Sequence, residues 1–306
     1  MSDSSTDGRF LGNPFLGRPF LRSRRTIMLH WQWIVVNEFL PQIVGQPLVN
    51  GILSTGRRWY RFHHPSMPVE FQTGAYRFEH SMIRPSYRAN LQGNPGGNPA
   101  TGAPAFFGFI FDPAGEGQPN PIDLRGGARA RRRFIGWQTF FDFGGDQTQH
   151  VRPNKLIDTS ISTPLFRLPL AAISSRDAPT SLAQRNLLRH LTWSLPSGQR
   201  IAASTGSPVL GSGHFPELRR YGIGLEASTP LWYYILREAS VLNKGVRLGP
   251  VGGRIVAETI VGMLQLDRFS YLNTGFRPFL PSRTPGTFTI TDLLRWARVD
   301  PANRGQ

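Results

Sequence analysis

The sequence predicts a mainly α-helical protein. Apolar residues recur at helical spacing in several segments, and start signals such as Thr229-Pro230 and Gly249-Pro250 precede them. Strict alternation of apolar and polar residues, which would indicate strands, is scarce. With 306 residues and 39% hydrophobic content, the chain can bury a sizeable core, as one large domain or two small ones.

The N-terminal third contains two predicted helices. Residues 1–23 are rich in Gly, Pro, Phe and Arg without a helical period, so we expect an irregular basic lead. Residues 29–40 have apolar side chains at helical spacing, and Pro41 is expected to end that helix. A second helix is predicted for residues 68–84, stopped by Pro85.

The middle of the chain predicts long irregular loops. Residues 90–127 are rich in Gly, Pro and Asn and carry four phenylalanines between positions 106 and 111. A short amphipathic helix is predicted around residues 137–141. Ser181 or Thr180 is the candidate N-cap of a helix that carries Asn186. Three further helices are predicted: residues 231–239, residues 250–266, and a last one capped by Asp292 and ending at Trp296.

The charge is strongly positive. The formal net charge is +16, from 35 basic and 19 acidic residues, and the densest cluster consists of Arg129, Arg131, Arg132 and Arg133. Such an excess suits nucleic acid, an anionic membrane or an acidic partner. Because no nucleic-acid motif is present, nucleic-acid binding is not expected. A basic anion-binding protein remains an alternative.

Several classes of chemistry are excluded. With no cysteine, the chain has no disulfide, thiolate haem ligand or cysteine nucleophile. Metalloprotease, phosphate-loop and nucleophile-elbow motifs are absent, and Gly249, Gly252 and Gly253 do not form a dinucleotide fingerprint. No apolar run is long enough to span a membrane and no secretory leader is recognised, so we expect a soluble protein, cytoplasmic by default.

The candidate site is the segment Ala75–Pro85. It places His80 between Arg77 and Arg84 on one face of an apolar helix. Imidazole can ligate a haem iron, and arginines can pair with the two carboxylates of a haem. The pattern alone is met more often in a core histidine flanked by two solvated arginines, so it leaves both interpretations open.

Two blocks in this order resemble the animal-type haem peroxidases. The His80 segment resembles the proximal-histidine helix of that family, whose pattern is aromatic-Arg-aromatic-Gly-His. The blocks 186–189 (Asn-Leu-Leu-Arg) and 195–198 (Leu-Pro-Ser-Gly) resemble its Asn-x-x-Arg block and the following turn. The resemblance spans residues 24–300 and leaves 301–306 as a tail.

The resemblance implies a mainly α, animal haem peroxidase-like helical domain that binds haem b. His80 would be the axial ligand of the iron. Asn186 would accept a hydrogen bond from His80, and Arg77 and Arg189 would contact the haem propionates. Glu79 stands where the family has glycine, and we expect it to crowd or recharge the haem side.

The distal part of the family pattern is not recognised. No Asp-His dipeptide, calcium loop or Arg-x-His-Asn block occurs, and residues 61–64 (Arg-Phe-His-His) are only superficially similar. The chain therefore looks N-terminally truncated, like the proximal, C-terminal portion of such a peroxidase. No catalytic residue is identified, no calcium site is expected, and no covalent haem linkage is expected at the positions that the missing region would carry.

The implied function is oxidation of an unknown reducing donor by hydrogen peroxide, with a role in the response to oxidative stress. Without distal residues, we expect the isolated chain to be weakly active or inactive. One alternative is a non-catalytic remnant, and another is half of a split enzyme whose partner is a separately encoded distal portion.

Overall fold

The computed structural model describes residues 14–91, 106–107 and 135–303. Within these ranges nine α-helices form most of the regular structure, and two short strands pair with each other. The predicted mainly α class is confirmed.

The first helix begins earlier than predicted. Helix α1 (Pro14–Ile34) continues through a π-helical turn (Val35–Phe39) into α2 (Leu40–Val44). The expectation of an irregular lead is therefore wrong for residues 14–23, whereas residues 1–13 lie outside the described part. Extending an existing helix adds residues without a new nucleation cost, and the segment contains good helix formers such as leucine and arginine.

Pro41 does not end this helix. The Leu40 N–H donates to the Val35 carbonyl, five residues back, which is the π-helical spacing. The wider turn makes room for the proline ring, which in a regular α-helix would meet the carbonyl four residues before it. The helix ends instead at Gly45, whose φ of 90° favours glycine, and α3 (Gln46–Thr55) follows.

The segment of His80, residues 69–82, is helical but irregular, and we call it the proximal segment. A π turn (Glu70–Gly74) is followed by a 3-10 turn (Ala75–Phe78) and by the single α-turn α4 (Glu79–Met82). Gly74, at the first junction, has φ −122° and ψ −77°, outside helical values. A Cβ added there would lie 2.9 Å from Leu231 Cδ2, so glycine allows the segment to approach the core closely.

The core lies around two long helices. Helices α7 (Leu231–Asn243) and α8 (Pro250–Leu266) pack on each other. α8 also contacts α2 and α3, whereas α7 contacts the proximal segment, α5 (Leu182–Thr192) and α6 (Gly198–Ser204). The proximal segment is therefore held between the core and α5.

Start signals in the C-terminal half are largely confirmed. Ser181 is the N-cap of α5, accepting from Gln184 N, and Gly249-Pro250 opens α8, which reaches Leu266. For α9 (Ile290–Trp296) the N-cap is Thr289, and Asp292 is the third helical residue of a capping box, so the predicted cap was wrong by three positions.

The middle of the chain has little α-helix in its described part. The helix predicted at residues 137–141 is only a 3-10 turn, Trp137–Thr139. Strand β1 (Tyr87–Arg88) pairs antiparallel with β2 (Phe106–Phe107), whereas the rest of the predicted loop beyond residue 91, and the arginines between positions 129 and 133, lie outside the described residues. Further 3-10 turns are Gly145–His150, Thr163–Phe166, Leu170–Ala172, Ser212–His214 and Pro216–Tyr221. None of the helices in the described ranges is long and apolar enough to cross a membrane.

Candidate functional site

His80 lies in α4 with its ring partly buried against α5. Its Nδ1 atom is 2.7 Å from Nδ2 of Asn186. Burial and the positive charge of Arg77 lower the pKa of the imidazole to about 4, although the hydrogen bond with Asn186 acts in the opposite direction. At neutral pH the ring is therefore uncharged, which is the form that binds a metal.

Asn186 joins His80 to Arg77. Its side chain is fully buried on α5, and Arg77 Nη1 lies 3.5 Å from its Oδ1 atom, a long hydrogen bond. In this orientation the amide donates to His80 Nδ1, and the ring proton lies on Nε2. The opposite amide orientation has the same shape, with Oδ1 accepting from a protonated Nδ1.

Arg77 lacks an anionic partner. Its Nε atom is buried without a hydrogen bond, and none of the ion pairs among described residues involves Arg77 or Arg189. Burial and the charge of Arg189 both lower the pKa of the Arg77 guanidinium. Arg189 follows Asn186 by three residues on α5, so both lie on the same side of that helix.

The four predicted site residues are thus brought together. His80, Asn186, Arg77 and Arg189 form one connected group across the proximal segment and α5. The buried Nε atom of Arg77 has no hydrogen-bond partner, which is unfavourable unless an anion binds beside it. A neutral imidazole next to Arg77 and Arg189 fits a haem, which has an iron for the ring and carboxylates for the arginines.

One detail of the predicted face is wrong, whereas the expected effect of Glu79 on a haem stays a prediction. Arg84 does not share the helical face of His80, because α4 ends at Met82 and Ile83 is extended, with ψ of 124°. Glu79 hydrogen-bonds with Tyr76, and burial raises the pKa of the Glu79 carboxyl. It lines a cavity of about 400 Å³ together with Trp31 and Glu38, among others, rather than with His80.

One supporting residue was missed by sequence reasoning. The Trp232 indole Nε1 donates a 2.9 Å hydrogen bond to the Arg77 carbonyl, which fixes the proximal segment against α7. Trp232 is 4% exposed, and in the sequence it reads as one more apolar residue of a core helix. No local signal distinguishes it.

The other histidines do not resemble a distal group. His30 is fully buried among three phenylalanines, and its Nδ1 bonds to the Thr26 carbonyl while Nε2 accepts from two backbone N–H groups. His190 Nδ1 accepts from Leu231 N at 3.4 Å. His63, His64 and His214 are exposed.

Comparison with known proteins shows which family and which fold this chain is similar to. The model of the animal haem peroxidase family matches residues 18–103. This range includes Arg77 and His80 but not Asn186 and Arg189. This part of the chain is similar to the animal haem peroxidases. Peroxidase A from Dictyostelium discoideum has a similar fold, with a TM-score of 0.50 and 18% sequence identity. No curated protein matches this chain in sequence.

The structural match covers 91% of this chain and 48% of peroxidase A. The chain therefore spans about half the length of the protein that it matches. At 18% identity the likeness concerns the fold alone.

Proposed function

We propose that this protein binds one haem b with His80 as the axial ligand of the iron. The observation that carries the proposal is a neutral imidazole, held at 2.7 Å by a buried amide, beside Arg77, whose buried Nε atom has no hydrogen-bond partner. Asn186 would accept the Nδ1 proton, and Arg77 and Arg189 would pair with the haem carboxylates.

Each residue has a distinct task in this proposal. A bound haem supplies a redox-active iron that can react with a peroxide. The hydrogen bond with Asn186 fixes the orientation of the His80 ring. The neutral amide leaves less negative charge on the imidazole than a carboxylate would. Arg77 and Arg189 neutralise the propionates, which allows them to be partly buried.

The proposed activity is oxidation of an unidentified donor by hydrogen peroxide, at a low rate. Splitting a peroxide O–O bond is helped by a base that moves a proton and by a cation that stabilises the separating charge. None of the described histidines outside the proximal segment is placed with an arginine in the family's distal pattern. We therefore propose that this chain alone is weakly active or non-catalytic.

A second candidate is half of a split enzyme. The structural match leaves about half of peroxidase A without a counterpart in this chain. A separately encoded distal portion would supply the missing base and cation, and would be expected to raise the rate when added.

A haem titration tests the proposal. The purified chain is titrated with haemin and followed by absorbance, for the wild type, His80→Ala and the control His64→Ala, which removes an exposed imidazole. The proposal predicts one equivalent of bound haem with a Soret band in the wild type and the control. His80→Ala should lose the stoichiometric band, while retaining the circular dichroism spectrum of a folded protein.

Equal binding and equal spectra in all three proteins would contradict the assignment of His80. Absence of haem binding in the folded wild type would contradict the proposed function itself.

A further inference from the structure

A second group of arginines lies beyond the end of the proximal segment. Arg84 follows α4, Arg88 is on β1, and Arg152 follows the 3-10 turn Gly145–His150. Thr139 holds two of them together, because its Oγ1 donates to the Arg88 carbonyl at 2.8 Å and its carbonyl accepts from Arg152 N at 3.4 Å. We call these three residues the second arginine cluster.

The second arginine cluster is short of negative charge. The Nε atoms of Arg84 and Arg88 are buried and have no hydrogen-bond partner. Burial lowers the pKa of both guanidinium groups and the charge of Arg152 adds to this, although Tyr87 acts in the opposite direction on Arg84. None of the ion pairs in the described ranges involves any of the three arginines.

Arg84 is held in place by aromatic residues. Its guanidinium carbon lies 4.5 Å from the centre of the Tyr87 ring, and its backbone N–H donates to the Tyr87 hydroxyl at 3.2 Å. Tyr87 in turn stacks on Phe140, with ring centres 6.1 Å apart. A guanidinium already fixed loses less conformational entropy when it binds a ligand.

We propose that the second arginine cluster is a binding site for a small oxyanion, either a phosphate or a carboxylate group. Guanidinium groups bind such oxygens with paired, charge-assisted hydrogen bonds. An anion here would give partners to the unpaired Nε atoms and would offset the repulsion among the three cations. The site is separate from Arg77 and Arg189 and does not depend on haem being bound at His80.

Two sources of the oxyanion are compatible with this chemistry. One is a free anion from solution, such as inorganic phosphate or a phosphate monoester. The other is a carboxylate of a haem bound at His80 that pairs with this cluster instead of with Arg77 or Arg189. Binding experiments on the haem-free and haem-loaded protein distinguish them.

The test measures binding of inorganic phosphate to the haem-free protein by calorimetry. The variants are Arg84→Gln and Arg88→Gln, with Arg167→Gln as the control, because Arg167 is exposed and its loss changes the net charge equally. The cluster variants should weaken binding about tenfold or more, as expected for loss of a charged hydrogen-bonding partner. The control should bind like the wild type.

Stability measurements give a second, independent test of anion binding at the second arginine cluster. Without phosphate, Arg88→Gln should be as stable as the wild type or more stable, because it removes a cation whose buried Nε atom has no partner. Phosphate should raise the Tm of the wild type and of the control, and raise that of Arg88→Gln less. If Arg88 had a purely structural role, Arg88→Gln would be less stable than the wild type in the absence of phosphate. Arg152→Gln, at an exposed position, serves as the second variant if Arg88→Gln does not fold.

Phosphate binding that persists when haem is loaded supports a free anion as the ligand. Phosphate binding that haem abolishes supports a haem carboxylate as the occupant. His80→Ala should bind phosphate like the wild type, so a failure of the haem proposal leaves this test intact. Absence of phosphate binding at millimolar concentration, or equal binding in the cluster variants and the control, would overturn the inference.

Discussion

The hydrogen bond between His80 and Asn186 can run in either direction, with the amide as donor or as acceptor, and the two directions correspond to two states of the site. With the Asn186 oxygen towards Arg77, the amide donates to His80 Nδ1, and the ring proton lies on Nε2. An iron at Nε2 requires the proton on Nδ1, and hence the amide oxygen towards His80. An anion that binds Arg77 would release that oxygen, so carboxylate binding and iron ligation should favour each other.

The pKa of His80 predicts how stability changes with pH. The folded-state value of about 4 lies below the ordinary value of 6.5, so between these pH values the unfolded chain binds a proton that the folded chain does not. The His80 contribution to stability is therefore present above pH 6.5 and is lost as the pH falls towards 4, by up to about 3 kcal/mol.

Urea unfolding of the haem-free protein at several pH values measures this effect. The free energy of unfolding of His80→Gln should depend less on pH between 4 and 6.5 than that of the wild type. His64→Ala serves as the control and should keep the wild-type dependence. Parallel curves for wild type and His80→Gln would show that His80 is not held neutral in the fold.

The neutrality of Asn186 predicts the redox potential of bound haem. Asn186→Asp would place a carboxylate at His80 Nδ1 and strengthen the imidazole as a donor, so the ferric/ferrous potential should fall. Asn186→Leu removes the acceptor and should shift the potential the other way. Spectroelectrochemical titration of the three haem-loaded proteins measures both shifts. A potential that rises or stays unchanged in Asn186→Asp would show that this side chain does not contact the ligating ring.

At the scale of elements, the sequence predicts best where local chemistry decides. Capping by Ser181 and the Gly249-Pro250 start depend on neighbouring residues, and both are confirmed. Pro41 misled the prediction because the π turn that accommodates it arises from the path of the whole helix. The irregular proximal segment has the same origin, since its junction at Gly74 is set by contact with distant Leu231.

The site shows the same division. The spacing of Arg77 and His80, and that of Asn186 and Arg189, could be read from the sequence together with the family resemblance. Their meeting across 106 residues of chain depends on tertiary packing that no local pattern records. The unpaired arginines of the second cluster likewise appear only when burial is known.

A buried glutamate at the contact of α7 and α8 gives an element-scale prediction. Glu238 is fully buried and accepts hydrogen bonds from Val251 N and Gly252 N at the start of α8, and burial raises the pKa of this carboxyl to about 7. Between pH 4.5 and 7 the folded state keeps a proton that the unfolded chain has released, so this contribution to stability decreases as the pH rises.

Glu238→Gln keeps an acceptor for the α8 backbone and cannot ionise. Relative to the wild type, its free energy of unfolding should therefore gain up to about 3 kcal/mol between pH 5 and pH 8. Urea unfolding at both pH values measures the difference. Arg167→Gln, a substitution at an exposed position, is the control, and its stability relative to the wild type should be the same at both pH values. A constant difference between Glu238→Gln and wild type would contradict the raised pKa.

At the scale of the whole molecule, we interpret the positive net charge and the half-length match as two signs of a binding partner that carries negative charge. The net charge is +16, and the described part leaves both arginine groups without carboxylate partners. Haem carboxylates, a small oxyanion or a distal portion would each supply negative charge or cover these surfaces.

The missing distal pattern predicts low peroxidase activity. General acid-base help contributes about 10² to 10⁴-fold in enzymes that have it, so the haem-loaded chain should oxidise a dye donor within about tenfold of the rate of free haem. Turnover with hydrogen peroxide is normalised to bound haem and compared with free haem. A rate more than about 100-fold above free haem would show that this chain supplies its own distal catalysts. Adding a distal fragment from a full-length relative should raise the rate if the chain is half of a split enzyme.

Ligation of the iron by His80 is the central claim, and imidazole rescue tests it most directly. His80→Gly leaves a space where the ring stood, and the variant mixed with one equivalent of haemin is followed by absorbance and electron paramagnetic resonance while imidazole is added. The account predicts that the variant alone lacks the histidine-ligated spectrum of the wild type, and that added imidazole restores it. A wild-type spectrum in His80→Gly without imidazole would contradict the account.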